Sequence, residues 1–521
     1  MDGSGAGKSA SYVIPNACQQ LGSYVFTDPK GELYDQTAGF LREKGYKIKV
    51  LNLVRPEKSD GYNPLHHIRN QIDVDIIANT IVKGQKDAAS SSDPFWDDMA
   101  EMLLKSLIYY LREVRPPEEQ NLASCAELVR AANNNGGDNL LSNLINQLPH
   151  QHPARTNYRS IEVSSDKTYG SILSSLQSKL GKFDSKAIAE LTSTNTIDFE
   201  EIGKEKTALY VISSDTHAAY DFLLTIFFSQ MIQRLYDFAD ECGGELPVQT
   251  FFILDEFANI GKIPDFDKKI STSRSRKISF SVILQNLDQL EAVYKESHET
   301  ILGNCDTHVF LGSNSQKTVE YFSKALGEKT IYRESESINK DRNDWKQGKS
   351  VSEQNMARAL LTPDELRRLD VNQCIIYEKG LKPIRAQKYY YFNHPTEKQI
   401  RPFRLDHNDR EVTDRGKWRT YNPYNPYEEK RETVEPTKIE SLDDLFADDE
   451  PKKEEAPKEE KNNNNVQPIL DLSSLDMPPE LPMEPVEEPK VEPQTTQEKL
   501  DLQKEMEAKF DELFGTLNDI D

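Results

Sequence analysis

Residues 1–33 read MDGSGAGKSASYVIPNACQQLGSYVFTDPKGEL, and the stretch 3–9 within them, GSGAGKS, decides the fold. It follows the phosphate-loop pattern G-x-x-x-x-G-K-[ST], in which backbone amides wrap phosphates and the Lys reaches the β and γ oxygens. Gly7, Lys8 and Ser9 fill its last three positions, while Gly3 and Gly5 permit the tight curl that turns N–H groups inward. Ser4 and Ala6 complete the cradle, and Ser9 is expected to hold a magnesium ion. The next residues, ASYVIPNACQQL, read as a short helix whose positive N-terminus faces the anion. The cofactors this pattern predicts are ATP and Mg2+. One position departs from it: Asp2 stands where the first Gly belongs, and a carboxylate sits badly beside phosphates.

Outward from the loop, apolar runs alternate with helical patterns. SYVFTDPKG, YKIKVLNL, ALYVISSD, QTFFILDEF, ISFSVILQ and THVFLGS each read as a strand. Near-continuous apolar strands separated by helices indicate a mostly parallel sheet covered on both faces, an α/β fold. NQCIIYEKGLKPIRAQKYYYF reads instead as a hairpin turning near Gly380, at the edge or end of the sheet. Between about Phe95 and Phe199 the strand signal disappears and apolar residues recur at helical spacing, as in DPFWDDMAEMLLKSLIYYLREV. This predicts an all-α domain inserted between two strands. The expected organisation is a nucleotide-binding domain in two parts, 1–94 and 200–405, around the helical insertion 95–199, followed by a linker 406–430 and a tail 431–521.

Charge follows the same division. Of the net charge of −23, the stretch from Arg431 onward contributes −17, with 10 Lys and Arg against 27 Asp and Glu. The body is therefore nearly balanced, which neither requires nor forbids nucleic acid, because a channel needs only local basic groups. The tail is rich in Pro, Glu and Lys and is expected to be disordered. Within it SLDDLFADD and KFDELFGTLNDID resemble each other; they read either as residual apolar residues in a solvated tail or as paired docking motifs. Five scattered cysteines without a C-x-x-C pair suit a reducing compartment and argue against a disulfide framework or zinc site. His150 and His152 could bind a metal, but they read better as a solvated loop pair. There is no signal-peptide pattern and no long apolar run, and AAYDFLLTIFFSQMIQRLYDF, the most apolar helix, reads as a buried core helix.

A second half of the site lies far along the chain. TFFILDEFANIG puts Asp255 and Glu256 at the end of an apolar strand, where a phosphate-loop ATPase holds magnesium and polarises the attacking water. Gln285 ends the next strand and could sense the γ-phosphate. Just before that strand come Arg274, Arg276 and Lys277. They read as a solvated basic turn, as contacts to nucleic-acid phosphates, or, for Arg274, as an arginine finger reaching a neighbouring subunit's nucleotide. The finger is the favoured reading of Arg274, with Arg276 and Lys277 kept as phosphate-contact candidates.

Taken in order, GSGAGKS, VFTDPKGEL, DPFWDDMAEMLLKSLIYYL, FFILDEFANIGKIPDF, LQNLDQLEAVY and LLTPDELRRL resemble the type IV secretion coupling proteins, the conjugative DNA-transfer ATPases, over about residues 3 to 395. The resemblance implies a RecA-like domain carrying an all-α domain, and a ring-shaped homo-hexamer with nucleotide between subunits. It also implies a role in bringing relaxase-bound DNA, single-stranded or still held by the relaxase, to a type IV secretion channel at the cytoplasmic face of the plasma membrane. Lys8, Ser9, Asp255, Glu256, Arg274 and Gln285 match the family's functional places. Relaxase, accessory proteins and channel components are the partners it implies. Such proteins carry a membrane segment and a strand ahead of the loop. The expectation here is a 5′-truncated fragment or a mistaken start at Met1, with the strand's two neighbours left unpaired in the core. The alternatives are a nucleotide-binding-deficient adaptor and a related chromosomal DNA translocase.

Overall fold

The computed structural model of the chain describes residues 7–84, 94–132, 139–214, 220–339, 348–412 and 414–423. The chain divides into two units, 1–435 and 436–521, and every described residue lies in the first. The tail and its two Leu-Phe segments lie outside the described residues.

The sheet is built on β1 (Ser23–Thr27), whose five residues are all buried. It pairs in parallel with β3 (Thr207–Ile212) on one side and β4 (Thr250–Leu254) on the other. β2 (Lys47–Asn52) lies beyond β3, and β5 (Ile278–Val282) beyond β4, giving the all-parallel order β2-β3-β1-β4-β5. A strand covered on both faces is apolar nearly throughout, which is why SYVFT and TALYVI read as runs broken only by small hydroxyl residues at their ends. Alternate residues then serve two cores. Val25, Leu51, Val211 and Phe252 point into one cluster; Tyr24, Phe26, Val50 and Tyr210 point into the other, where Tyr24 stacks on Phe26 and Phe26 on Tyr210.

Helices cover each face. α1 (Ile14–Ala17) and α2 (Glu32–Glu43) close the Tyr24 side. From β2 the chain runs through α3 (Gln71–Lys83), α4 (Pro94–Val114), α5 (Leu122–Ala132), α6 (Leu140–Asn146), α7 (Pro153–Glu162), α8 (Asp166–Leu180), α9 (Lys186–Ser193) and α10 (Phe199–Lys204) before returning as β3. The helical stretch thus leaves and re-enters the sheet at neighbouring strands. Its apolar residues, Leu104 and Leu107 of α4 among them, join the same buried cluster as the sheet face, so no break in packing separates the two. α11 (Asp221–Glu241) buries fifteen of its residues, including Phe227, Phe228 and Gln230, as the core helix expected of that sequence. No helix among the described residues is long and apolar enough to cross a membrane.

Beyond β5, α12 (Phe266–Thr272) precedes the strand; α13 (Leu287–Val293) and α14 (His298–Gly303) follow it and lead to β6 (Thr307–Phe310). β6 belongs to a separate three-stranded sheet. Two further strands absent from the sequence reading, β7 (Glu328–Asn339) and β8 (Gly348–Ala359), pair with each other as an antiparallel ribbon. Their segments are mostly polar, with the apolar residues irregularly spaced, so no apolar alternation marked them. The predicted hairpin is present, with β9 (Gln373–Glu378) turning at Gly380, φ +84°, into β10 (Ile384–Gln387), but it is not at the edge of the main sheet: β9 pairs antiparallel with β6, so THVFLGS, expected as a strand of the parallel sheet, belongs with the hairpin instead.

The stretch from 406, expected as a linker, is instead laid along the body as far as it is described. Three of its arginines meet carboxylates or carbonyls of the body. Arg410 bonds Asp60 at 2.8 Å, Arg415 bonds the Pro56 carbonyl at 2.7 Å, and Arg419 bonds Glu119 at 2.6 Å; just ahead of it Arg404 bonds Glu397. His407 holds Asp35 of α2 at 3.0 Å, and the Arg115 guanidinium lies 4.0 Å from the centre of the Tyr421 ring. A composition-based linker reading fails here because single charged contacts, not an apolar run, fasten the segment.

Candidate nucleotide site

Gly7 adopts φ +71°, a left-handed conformation that strains any residue with a Cβ. The loop then enters a wide-turned helix, Ser9–Val13, with Ser11 returning both its N–H (2.8 Å) and its hydroxyl (2.7 Å) to the Gly7 carbonyl. Lys8 stands at the start of this helix and its ammonium reaches across the sheet's carboxyl edge. It lies 2.9 Å from Glu256 Oε1 and 3.8 Å from Asp255 Oδ1, while Ser9 Oγ lies 3.4 Å from Asp255 Oδ2. Residues nearly 250 positions apart are joined because β4 lies beside β1 and both strands end at the same edge. Thr27, at the end of β1, donates its hydroxyl to the Asp255 carbonyl at 2.7 Å and ties the two ends together.

Glu256 is held at φ +50°, the left-handed region, with its N–H bonded to Asp255 Oδ1 at 3.0 Å. Such a conformation costs a non-glycine residue about 1–2 kcal/mol, and it turns the second carboxylate back toward Lys8. Burial pushes the Asp255 carboxyl above its ordinary value and the Glu256 charge adds to this, while Lys8 and the Ser9 hydroxyl pull it back. A buried carboxylate short of positive charge, beside a serine hydroxyl, is an oxygen-donor set that a hard divalent cation would satisfy. The residues therefore fit Mg2+, which Ser9 and Asp255 would hold.

Gly3, Ser4, Gly5 and Ala6 lie outside the described residues. Gln285 follows β5 and is exposed, its N–H bonded to the Gln289 side chain. Arg274 is not brought to Lys8. It sits before β5, at the opposite end of the sheet, exposed and without a side-chain partner among the described residues. Its neighbours are engaged within the chain: Arg276 bonds Asp240 at 3.0 Å and Lys277 bonds Glu245 at 2.7 Å. Both are thus drawn to carboxylates rather than left free for phosphates. His152 caps α7 by accepting the Ala154 N–H, which gives it a structural role.

Two residues escaped the sequence reading. Tyr390 lies against the loop: a Cβ built on Gly7 would sit 2.7 Å from its Cε1. Its only signal was the aromatic run YYYF, read simply as the end of a hairpin. Asp28, in the TDPKG turn after β1, accepts the Tyr34 N–H at 2.8 Å, and burial pushes its carboxyl up to about 7. The turn itself was singled out, but nothing in the sequence said the acid would be enclosed.

A family model described as type IV secretory system conjugative DNA transfer matches residues 1–415. Protein VirD4 of Rhizobium radiobacter is 25% identical over 419 residues, covering 76% of this chain and 57% of that protein. Conjugal transfer protein TraG of Escherichia coli is 25% identical over 427 residues, 75% of this chain and 66% of that one. The chain thus spans somewhat over half the length of the first of these relatives. Among solved structures, the bacterial conjugative coupling protein TrwBdeltaN70 in complex with sulphate superposes with a TM-score of 0.54 at 16% identity, over 74% of this chain and 83% of that one. TrwB in complex with ADP and Mg2+ gives 0.52 at 15%, with the same coverage. At these identities the structures establish a shared fold.

Proposed function

Since the chain belongs to the type IV secretory system conjugative DNA transfer family, we propose that it is the motor part of a coupling protein that uses ATP to drive relaxase-bound DNA into a type IV secretion channel. The observation that supports this most is the meeting of Lys8, Ser9, Asp255 and Glu256 at one end of the sheet. Lys8 binds the β and γ oxygens, and it must exchange Glu256 for phosphate when nucleotide enters. The exchange frees the Glu256 carboxylate to orient and deprotonate water. Ser9 and Asp255 hold Mg2+, which when bound neutralises charge on the transferring phosphoryl group.

The remaining parts of the reading follow from the family. The chain acts as a homo-hexamer at the cytoplasmic face of the membrane, and relaxase, accessory proteins and channel components are its partners. Arg274 is the finger, and its lack of a side-chain partner among the described residues, together with its place at the opposite end of the sheet from Lys8, favours action on a neighbouring subunit. Gln285, near the end of β5, senses the γ-phosphate. The adaptor and chromosomal-translocase readings are not favoured by the family match.

The test is hydrolysis in purified protein. Lys8→Ala and Asp255→Ala should abolish ATP turnover, and Glu256→Gln should bind ATP yet turn it over far more slowly. Arg274→Ala mixed with Lys8→Ala should recover part of the activity at mixed interfaces. Wild-type rates in the first three variants would overturn the assignment, and absence of complementation in confirmed mixed assemblies would remove the finger.

A further inference from the structure

β1 ends in the order Thr27-Asp28-Pro29, and that order leaves a gap in the ladder beside Asp255. Ser23, the first residue of β1, gives its N–H to the Gln249 carbonyl at 2.8 Å, and the same register runs on to Thr27 opposite Leu254. In a parallel ladder the same edge is offered by every second residue. Counted on by twos from that first bond, the donor owed to the Asp255 carbonyl is the amide of residue 29. It is Pro29, which has no N–H to give. The Asp28 amide does not stand in, because it faces the other neighbour and bonds the Val211 carbonyl of β3 at 2.9 Å.

The Thr27 hydroxyl fills the place. It donates to the Asp255 carbonyl at 2.7 Å from a residue only 4% exposed, and so satisfies a main-chain acceptor that the strand itself leaves open. The bond holds one side of the peptide between Asp255 and Glu256. The other side of that peptide, the Glu256 N–H, is held by Asp255 Oδ1 at 3.0 Å. The next peptide is held as well: the Glu256 carbonyl accepts the Asn259 N–H at 2.8 Å, and the Phe257 N–H reaches the Ile283 carbonyl at 3.1 Å.

Both peptide planes that flank Glu256 are thus fixed. A non-glycine residue needs such restraint to stay at φ +50°, ψ +47°, since left to itself it returns to the right-handed or extended regions. That return would swing the carboxylate away from the place it now shares with Lys8. Of the four restraints, two come from the turn itself and one from the residue after β5. Thr27 alone reaches the turn from β1.

We propose that Thr27 is a positioning residue for the Glu256 base: its hydroxyl replaces the amide missing at Pro29 and keeps the left-handed turn that aims Glu256. The proposal rests on the assignment of Glu256 as the base made above. Thr27 takes no part in the chemistry and acts only through the main chain of Asp255. A hydroxyl at this buried strand end is therefore required for turnover, whereas binding of nucleotide, which uses Lys8 and the loop, does not depend on it.

The test is ATP turnover by the full chain carrying Thr27→Val, Thr27→Ala, Thr27→Ser or Glu256→Gln, and by Thr27→Val combined with Glu256→Gln. Val keeps the shape of Thr and Ala fits any space Thr fills, so the donor is removed in two ways that strain the fold differently. Loss of a general base costs about 10²–10⁴-fold in rate, and a base present but poorly aimed costs less, so Thr27→Val and Thr27→Ala should lower kcat about five- to tenfold. The KM for ATP and the Mg2+ requirement should stay within about twofold, because only a step after binding is affected. Thr27→Ser keeps the donor and should keep kcat within about twofold. In the Glu256→Gln background, read in single turnovers, Thr27→Val should change the rate by less than about twofold, since no base remains to be aimed. Amide exchange at 256–258 should be at least about fivefold faster in Thr27→Val than in Thr27→Ser. An unaffected kcat in Thr27→Val and Thr27→Ala, a raised KM in place of a lowered kcat, a loss in Thr27→Ser as large as in Thr27→Val, unchanged exchange, or an equal fractional loss in the Glu256→Gln background would overturn the proposal. A slow Glu256→Gln beside an unaffected Thr27→Val would overturn this proposal alone, whereas Glu256→Gln at the wild-type rate would overturn the base assignment and this proposal with it.

Discussion

Replacing Arg410 by Ala should show that the segment from 404 to 423 is part of the folded body. Arg410 donates to Asp60 Oδ2 at 2.8 Å and to the Lys58 carbonyl at 2.7 Å, and the pair's side chains are 13% and 7% exposed. Net, a hydrogen bond to a charged group contributes about 1.5–3 kcal/mol, and severing a fully buried pair costs about 3–5 kcal/mol because a charge is stranded. Asp60 is not wholly stranded, since the same oxygen accepts the Val50 N–H at 2.7 Å. The expected loss is therefore about 2–3 kcal/mol, below that upper range. Asp60→Asn keeps an acceptor for Val50 and should cost about 1–2 kcal/mol. The double variant should fall short of the sum by about 1–2 kcal/mol, since each single change already removes the same contact. Urea unfolding followed by tryptophan fluorescence is suited to the measurement, because Trp418 lies on this segment. A loss below about 0.5 kcal/mol for Arg410→Ala, or strict additivity in the double variant, would refute the argument that these contacts carry the segment.

Other expectations can be checked in the same material. Asp28 is held near 7 by burial, above the carboxylate's usual 3.8, so the folded state keeps a proton that the unfolded state gives up; its stability contribution is full below about pH 4 and declines as pH rises to about 7. Asp28→Asn, which still accepts the Tyr34 N–H, should flatten that part of the stability profile, and an unchanged slope in pH-dependent urea titrations would count against it. Gly7→Ala should weaken ATP binding at least tenfold, through about 1–2 kcal/mol of left-handed strain plus collision with Tyr390. Adding Tyr390→Ala should relieve only the collision, and calorimetry separates the two. Arg276→Ala should leave hydrolysis within about twofold, because the guanidinium is engaged with Asp240. Deleting 431–521 should likewise leave the ATPase rate within about twofold, since a Pro- and Glu-rich tail brings no catalytic group. The same deletion should lower the transfer frequency of some cargo, because the tail's net acidic charge would attract basic protein surfaces. Unchanged transfer would reduce the tail to a solubilising appendage.

What could be read from the sequence followed from how each element is stabilised. β1, β3 and β4 are covered on both faces, so they had to be written as nearly continuous apolar runs, and the carboxylates closing β4 stood out against them. The loop was equally visible because phosphates demand bare amides and a lysine at fixed spacing. Tyr390 was not, since its role comes from a fold that returns it to Gly7 after more than 380 residues. The β7–β8 segments carry no apolar alternation in sequence to betray them. The arginine-fastened segment was missed for a related reason: its partners, Asp60, Glu119 and Asp35, lie far apart in the chain, the first two in connections between elements and the last in α2, and no local pattern announces a contact of that kind. Arg276 and Lys277 looked free because Asp240 and Glu245 lie more than thirty residues away in the chain.

The fastened segment also sets a schedule for making the protein. Asp60 and Arg410 are separated by 350 positions, and Asp35 and His407 by 372. Chains are synthesised at about 5–20 residues per second, so roughly 20–70 s pass between the appearance of Asp60 and that of its partner. Through that interval the sheet is assembled strand by strand on the ribosome while the acid waits, and the final clasp can close only after residue 410 clears the exit tunnel. A ribosome that stalls shortly before that point would display every strand of the five-stranded sheet without the contacts that fasten α2, β2 and α5 from outside. Such stalled chains should be the ones that chaperones and proteases find.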